Sequence, residues 1–383
     1  DFEPKNHVEL CESLGLIDYE RGTKLAGSGF WMYTGLGARL EWALLNYFID
    51  THLADGYEFI LPPHMLEYQC GETAGQFPKF ADEVYKIQNP TDDRTHYMLP
   101  TAEAALASIY RDEILAEADL PKKFFAYTPC FRREAGSARA EERGMVRGHQ
   151  FNKVEMFQFT RPEDSDDAFD ELVTKAENLV KGLGFHFRTV KLAAGDCSAS
   201  MARTYDIEIQ IPSMQGYKEV SSVSNARDYQ ARRGNIRFRR EATGKPEFLH
   251  TLNGSGLATS RIFPAMVEQN QLKDGSVKVP EVLQKYLGGL EVISKSFVIL
   301  CFVTCRFFNF YACPVIHFRQ YSAAVISVCC FFAGLRIHHF RSDSENFSVI
   351  PINWCYINKS LVCPFCLCPS LCLFNRHLCV TCD

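Results

Sequence analysis

The chain has 383 residues, of which 41 are Lys or Arg and 46 are Asp or Glu, giving a net charge of −5. That length can hold two or three domains. The acidic balance excludes nucleic-acid binding through overall charge, and the first residues predict neither a signal nor a transit peptide.

The first clear elements are a helix followed by a strand. Apolar side chains recur at helical spacing from Leu36 to Asp50, which predicts a core-facing helix. A turn around Gly56 comes next, and Tyr57–Pro63 is predicted to be a strand that its prolines end.

Two strand-like segments, Phe131–Glu134 and Gln150–Glu155, flank a long polar loop and predict a hairpin. Strand alternation would place Arg132 and Glu134 on one face. The returning strand would align three more side chains, Phe151, Lys153 and Glu155. An arginine, two carboxylates and an aromatic ring on one platform could hold a phosphate, an ammonium and a base together.

Further along, an apolar stripe predicts a helix at about 164–181 with Gly182 as its stop. Alternation over Phe185–Val190 and Tyr205–Ile211 is typical of an antiparallel sheet with one buried face. We therefore predict an α+β fold, an antiparallel sheet flanked by helices. The sequence contains no GxGxxG or GxxxxGK[ST] motif, which disfavours Rossmann and P-loop folds.

Composition changes abruptly after Gly288–Gly289. Up to Leu290 there are four cysteines and 76 charged residues, whereas the last 93 residues hold twelve cysteines and eleven charged residues. We assign 1–289 to one domain and expect 290–383, a Cys- and Phe-rich tail, to be translated non-coding or frame-shifted sequence. Its apolar runs are too short to cross a bilayer, so we expect no membrane partner.

The hairpin resembles motif 2 of class II aminoacyl-tRNA synthetases, in the form found in seryl-tRNA synthetases. Three more segments resemble motifs of that family in the same order: Thr101–Glu103 its serine loop, Glu219–Ser222 its ATP and metal segment, and Thr251–Arg261 its motif 3. The segment 36–63 resembles motif 1. The resemblance covers 1–289 and implies the class II synthetase catalytic fold.

This resemblance implies that the chain activates L-serine with ATP and Mg²⁺ to seryl-adenylate and transfers it to the 3′ end of tRNA(Ser). Arg132 and Arg261 would be the catalytic residues, with Arg132 on the α-phosphate. The implied ATP-binding residues are Arg132, Arg133, Glu134, Phe151, Glu219, Val220, Ser221, Ser222 and Arg261. The implied serine-binding residues are Thr101, Ala102, Glu103, Glu155, Asn253 and Ser255. Glu219 and Ser222 would hold the metal.

The resemblance also implies partners. Motif 1 would make the protein a homodimer, and the cytoplasm would be its compartment. In this family a coiled-coil arm that grips tRNA precedes the catalytic domain, and no heptad pattern of that kind is present in this sequence. We therefore expect the interaction with tRNA(Ser) to be weakened.

For several of these residues, a purely structural role is an alternative to the functional role. Thr101 and Glu103 could cap a helix that starts near Ala104, and His149 is more typical of a structural residue than of a base. The basic run from Arg232 to Lys245 could be a solvated surface or an RNA contact. We expect the glycines of Asn253–Gly256 to let the backbone approach a ligand closely.

Two other functions fit parts of the pattern. One is an armless amino acid:carrier protein ligase, but the zinc-bound pocket of those relatives uses cysteine ligands, and 200–260 contains no cysteine. The other is an inert paralogue that acts as a binding or regulatory protein. Damaged motifs would be expected in such a paralogue, whereas Arg132, Glu134 and Arg261 are all present.

Overall fold

The structure is a computed structural model that describes residues 2–88, 94–134, 144–214 and 216–295, and the backbone of 298–300 and 315–317. The chain divides into two units, Asp1–Lys295 and Ser296–Asp383. Most of the tail set apart by composition lies outside the described residues. In the second unit, the described backbone forms one antiparallel pair of strands.

The helices of the described residues vary from one turn to twenty residues. They are α1 (His7–Ser13), α2 (Tyr19–Ala26), α3 (Gly35–Ala54), α4 (Tyr68–Thr73), α5 (Glu103–Leu106), α6 (Ser165–Gly182), α7 (Tyr229–Arg233), α8 (Thr259–Gln269) and α9 (Glu281–Gln284). None of them is long and apolar enough to span a bilayer.

The strands follow in chain order. They are β1 (Ile17–Asp18), β2 (Met32–Tyr33), β3 (Glu58–Ile60), β4 (Met65–Glu67), β5 (Lys86–Ile87), β6 (His96–Met98), β7 (Ile114–Ala116), β8 (Lys122–Phe131), β9 (Gln150–Thr160), β10 (Phe187–Lys191), β11 (Arg203–Ile211), β12 (Gly216–Arg227), β13 (Arg237–Arg239), β14 (Pro246–Phe248), β15 (His250–Ala258), β16 (Val277–Lys278), β17 (Val292–Ile293), β18 (Val298–Leu300) and β19 (Val315–His317).

A seven-stranded sheet organises the first unit, in the order β10-β11-β12-β15-β9-β8-β3. Its neighbours are antiparallel except β3 and β8, which are parallel. Strand alternation gives each face its own apolar core: Phe125 and Met156 point to the side of α3, α6 and α8, whereas Phe124 and Phe157 point to the opposite side. The predicted α+β sheet is thus confirmed.

The predicted helices and strands are largely confirmed. The helix expected at Leu36–Asp50 is α3, and the helix expected at about 164–181 is α6. However, the residue with left-handed backbone after α6 is Gly184, with φ of 75°. Gly182 instead allows close packing, since an added Cβ would lie 2.1 Å from the Tyr47 hydroxyl oxygen.

The hairpin is present, with β8 and β9 paired antiparallel, but the alternation argument for its first strand is wrong. Strand β8 ends at Phe131, before the two residues concerned, and Glu134 has a left-handed backbone with φ of 48°. Arg132 and Glu134 therefore approach the same cavity through a turn of the chain rather than through the two-residue period of a strand.

Gly37 on α3 packs directly against backbone, and this contact predicts a measurable loss of stability. A Cβ added at Gly37 would lie 2.0 Å from the Leu16 carbonyl oxygen, which cannot rotate away. We expect Gly37→Ala to lower the free energy of unfolding by about 1 to 3 kcal/mol, the usual cost of overpacking. Urea denaturation measures this. Gly195→Ala is the matched control, because no atom lies within 4 Å of its added Cβ. Equal stabilities of the two variants would contradict the prediction.

Candidate active site

One cavity lies beside the exit of β8 and the start of β9, and residues from four separate segments line it. Those with functional side chains are Arg132, Glu134, Arg147, Phe151, Lys153, Glu219, Ser255, Ser260 and Arg261. Most of the side chains that the sequence assigned to ATP thus lie together. Arg147 and Lys153 were not among them.

Arg132 is held at the cavity by backbone contacts on both sides. Its amide donates to the His149 carbonyl at 2.8 Å, and its Nε donates to the Pro100 carbonyl at 3.2 Å. The His149 Nδ1 lies 2.9 Å from the Arg132 carbonyl oxygen, in agreement with a structural histidine. The guanidinium carbon is 5.2 Å from the centre of the Phe151 ring, so a fixed cation adjoins a flat aromatic surface.

The two residues after Arg132 take different directions. Glu134 faces the cavity, where the Arg147 Nη1 donates to its carboxylate at 2.6 Å. Arg133 is exposed and is not among the residues that line the cavity, since its Nη1 donates to the Asp82 carbonyl at 2.8 Å. A role of Arg133 in ATP binding therefore receives no support from its placement.

A buried polar cluster adjoins this cavity through Lys153, which lines it. The Lys153 Nζ donates to the Thr101 Oγ1 at 2.7 Å and is in ion-pair contact with Glu155. The Asn253 Nδ2 donates to Glu155 at 3.2 Å. Glu103 accepts from the Gln230 Nε2 at 2.8 Å. These side chains are all buried, so two carboxylates share one low-dielectric pocket.

Burial and the neighbouring charge of Glu155 raise the pKa of Glu103 to about 7. The Lys153 ammonium lowers this pKa, but burial and the charge of Glu155 outweigh it. The N-cap of α5 is Ala102, which makes no side-chain capping bond, but the Thr101 Oγ1 accepts from the Glu103 amide at 3.2 Å where the helix begins. Ala102 is buried beside them.

Glu219 and Arg261 line the cavity together, whereas Ser222 and Asp206 are not among the residues that line it. The Arg261 Nη1 donates to the Glu219 carbonyl at 2.7 Å and lies 3.6 Å from the Glu219 carboxylate. Asp206 pairs across the strands with Ser222, and burial together with Glu219 raises the pKa of Asp206 to about 6. Within the described part of the chain its Oδ1 has no hydrogen-bond partner. Sequence reasoning missed Asp206, although the polar face of β11 was the available signal.

The oxygens of Glu219 and of the neighbouring Asp206 and Ser222 suit a hard divalent cation. Mg²⁺ needs only one or two protein carboxylates because substrate phosphates and water complete its shell. Glu219, Ser222 and the crowded Asp206 carboxylate provide such oxygens. No group of three or more His, Cys, Asp or Glu residues suited to a metal occurs among the described residues.

The remaining predicted site residues have structural contacts. Ser221 is buried and its hydroxyl donates to the Ser255 carbonyl at 2.6 Å, whereas Val220 lines the cavity. Gly254 and Gly256 alternate with the site-facing residues of β15: an added Cβ would lie 3.1 Å from Val223 or 2.2 Å from the His52 ring. These contacts show that both glycines allow close packing, and they give no support to the expected ligand-approach role.

The basic run from Arg232 to Lys245 is largely engaged within the protein. Arg240 forms ion pairs with three carboxylates, those of Glu117, Glu163 and Glu247. Arg232 pairs with Asp228 at 2.7 Å. These contacts favour the interpretation as a solvated, internally paired surface over direct RNA contact.

Comparison with known proteins agrees with this geometry. A family model, the tRNA synthetase class II core domain (G, H, P, S and T), matches residues 85–270. Serine–tRNA ligase 2 of Clostridium acetobutylicum is 69% identical over 289 residues, which are 75% of this chain and 68% of that protein. Serine–tRNA ligase of Geobacillus sp. strain WCH70 is 50% identical over 76% of this chain and 68% of its own length.

Solved structures give the same result. The crystal structure of seryl-tRNA synthetase from Pyrococcus horikoshii complexed with ATP superposes with a TM-score of 0.73 at 38% identity, over 77% of this chain and 65% of that one. The chain thus spans about two thirds of the length of these relatives. With this sequence identity, this fold and this clustering of motif residues, the chain belongs to the seryl-tRNA synthetase family of class II aminoacyl-tRNA synthetases, the serine–tRNA ligases.

Proposed function

We propose that this chain activates L-serine with ATP to seryl-adenylate and transfers the seryl group to the 3′ end of tRNA(Ser). The observation that carries the proposal is the joining of two sites. A cavity with Arg132 and Arg261 suits phosphates, and its lining residue Lys153 contacts Glu155 in a buried polar cluster with Glu103 that suits an ammonium. Serine-dependent exchange of pyrophosphate into ATP tests activation, and a folded protein without exchange would contradict it.

In the proposed reaction, a serine carboxylate oxygen attacks the α-phosphorus of ATP. A new oxygen–phosphorus bond forms as the bond to the β-phosphate breaks, and pyrophosphate leaves with the electron pair. Arg132 would neutralise the charge that grows on the α-phosphate, since its guanidinium is already fixed by backbone contacts. Glu134 would accept from the adenine amino group, and Phe151 would stack on the ring.

Mg²⁺ is the proposed metal, held by Glu219 and Ser222 with Asp206 beside them. When bound, it would neutralise charge on the phosphates. Thr101, Glu103, Glu155, Asn253 and Ser255 would select serine, because a pocket that hydrogen-bonds a substrate hydroxyl rejects analogues without it.

We propose a homodimer formed through motif 1. Helix α3 exposes Trp42 and Leu53, eleven residues apart and therefore on one helix face, at 53% and 49%. Leu61 and Met65, in the segment after β3, are also exposed, at 68% and 50%. These exposed apolar side chains lie on or next to the segment that resembles motif 1, and exposed apolar surface is typical of an interface.

We expect Trp42→Glu to weaken this dimer, because a charge would be buried in the apolar contact. Sedimentation velocity across a concentration series measures the shift toward monomer. Leu25→Glu is the control, since Leu25 is 75% exposed on α2, outside the proposed interface. A Trp42→Glu protein that sediments like the unchanged chain would rule this interface out.

The tail, the compartment and the tRNA step complete the proposal. Residues 290–383 are proposed not to be an evolved domain; a compact, protease-resistant tail expressed alone would refute this.

The cytoplasm is the proposed compartment, supported by Cys11, Cys70, Cys130 and Cys197, which form no disulfides. Aminoacylation of tRNA(Ser) rather than of a carrier protein separates the proposal from a carrier-protein ligase. A thermal shift with ATP and serine separates it from an inert paralogue.

A further inference from the structure

Lys153 occupies a position that the proposed function gives to the substrate. Its ammonium donates to the Thr101 Oγ1 at 2.7 Å and contacts the Glu155 carboxylate, and its side chain is 8% exposed. Thr101 and Glu155 are the groups that would receive the ammonium of serine. The inference developed from this contact rests on the proposed function.

We propose that Lys153 is a positioning residue whose ammonium competes with that of the amino acid for Thr101 and Glu155, and which pairs with the substrate carboxylate once displaced. A zwitterion brings one positive and one negative charge into the pocket. If its ammonium takes Thr101 and Glu155, Lys153 loses its anion, and a buried ammonium without a partner is strongly unfavourable. The substrate carboxylate is the anion delivered at the same moment.

The order of side chains along β9 supports this pairing. Phe151, Lys153 and Glu155 share one strand face, with successive members about 7 Å apart. Phe151 is the proposed surface for the adenine ring and Glu155 the proposed acceptor of the ammonium. Lys153 therefore lies between the nucleotide and the amino group, on the side where the carboxylate must meet the phosphate. Arg132 lines the same cavity and would bind from the phosphate side.

The charge balance of the pocket points the same way. Glu103 and Glu155 are both buried, and the Lys153 ammonium is the cation in contact with Glu155. An incoming ammonium adds the second cation that two carboxylates can accommodate. When the Lys153 ammonium moves away from Glu155, the substrate ammonium takes its place, so the buried Glu155 carboxylate keeps a cationic partner. A neutral side chain at this position would bind an amine but would not hold its carboxylate.

The test compares L-serine with L-serinamide, which keeps the ammonium and hydroxyl but lacks the carboxylate. Calorimetry gives the two dissociation constants for the full chain and for Lys153→Met. We expect the full chain to prefer serine, and Lys153→Met to lose about tenfold to a hundredfold of that preference, the size of one charge-assisted hydrogen bond. Lys153→Arg should keep most of it. Lys123→Met is the control, because Lys123 lies on β8 outside the cavity and pairs with Glu171 of α6.

If Lys153→Met does not fold, the charge-matched variant Lys153→Met/Glu155→Gln is measured instead, since loss of Glu155 affects both ligands through the shared ammonium. An unchanged serine-to-serinamide ratio in the folded variant would overturn the role of Lys153. Binding is read separately from catalysis: absence of pyrophosphate exchange in the full chain would count against the proposed function, whereas the binding ratio still reports on Lys153.

Discussion

Replacement of Arg132 by alanine is expected to slow seryl-adenylate formation by roughly 10² to 10³-fold, the usual cost of losing one fixed donor to a charge that develops in the transition state. The reason is geometric. The Arg132 side chain is anchored at Nε by the Pro100 carbonyl and lies beside Phe151. It therefore requires little reorganisation to meet a phosphate.

The measurement is serine-dependent pyrophosphate exchange, together with thermal melting to show that the variant folds. Arg239→Ala is the matched control, because Arg239 is exposed on β13 and its Nη1 donates to the Gly244 carbonyl. We expect the control to exchange at the rate of the unchanged chain. An Arg132→Ala protein with an undiminished rate would remove Arg132 from its proposed role.

The second large effect is the loss of the stabilising contribution of Glu41 as pH rises from about 4.5 to 7. Glu41 on α3 is 3% exposed and accepts from the Asn152 Nδ2 at 2.7 Å and the Thr259 Oγ1 at 2.6 Å. Burial raises the pKa of Glu41 from 4.5 to about 7, and these hydrogen bonds only partly oppose the increase. Glu41 thus joins α3, β9 and α8 as a mostly neutral acid over this range.

The direction follows from proton binding in the two states. Below pH 4.5 the folded and unfolded chains both hold the proton, so the stabilising contribution is fully present. Between 4.5 and 7 the unfolded chain has lost the proton and the folded chain retains it, so each rise in pH favours unfolding. The cost approaches 1.4 kcal/mol per pH unit, or about 3 kcal/mol across this interval.

Denaturant unfolding at several pH values measures this slope. Glu41→Gln should flatten it, and Glu103→Gln should flatten it further because the pKa of Glu103 is raised to about 7 as well. Glu20→Gln, at an exposed position on α2, is the control. A Glu41→Gln protein with the same slope as the unchanged chain would show that Glu41 ionises in the folded state as it does in water.

Much of the fold could be predicted because its signals are local. The helical spacing of apolar residues predicted α3 and α6, and the two-residue period predicted β9, β10 and β11. Such periods arise because a residue's face is set by the helix or strand that contains it. The motif order, recognised by resemblance, indicated which side chains to examine together.

The site itself was only partly predictable, for reasons that Arg132 and Glu134 illustrate. Strand alternation placed them on one face, yet β8 ends before them and Glu134 itself has a left-handed backbone. Arg133 was included by adjacency, but a contact with Asp82, 51 positions away, turns it outward. For Lys153, the sequence indicated only a shared strand face with Phe151 and Glu155. No neighbouring residue indicated that Lys153 would contact Thr101.

The sequence by itself determined the family, the element types and the set of functional groups, because composition, periodicity and motifs are properties of neighbouring residues. The tertiary structure alone decided which of those groups meet. Lys153 reaches Thr101 across 52 positions, and Asn152 and Thr259 reach Glu41 across 111 and 218. Such contacts depend on sheet register and helix packing, and the burial they produce sets the charge state of Glu41 and Glu103.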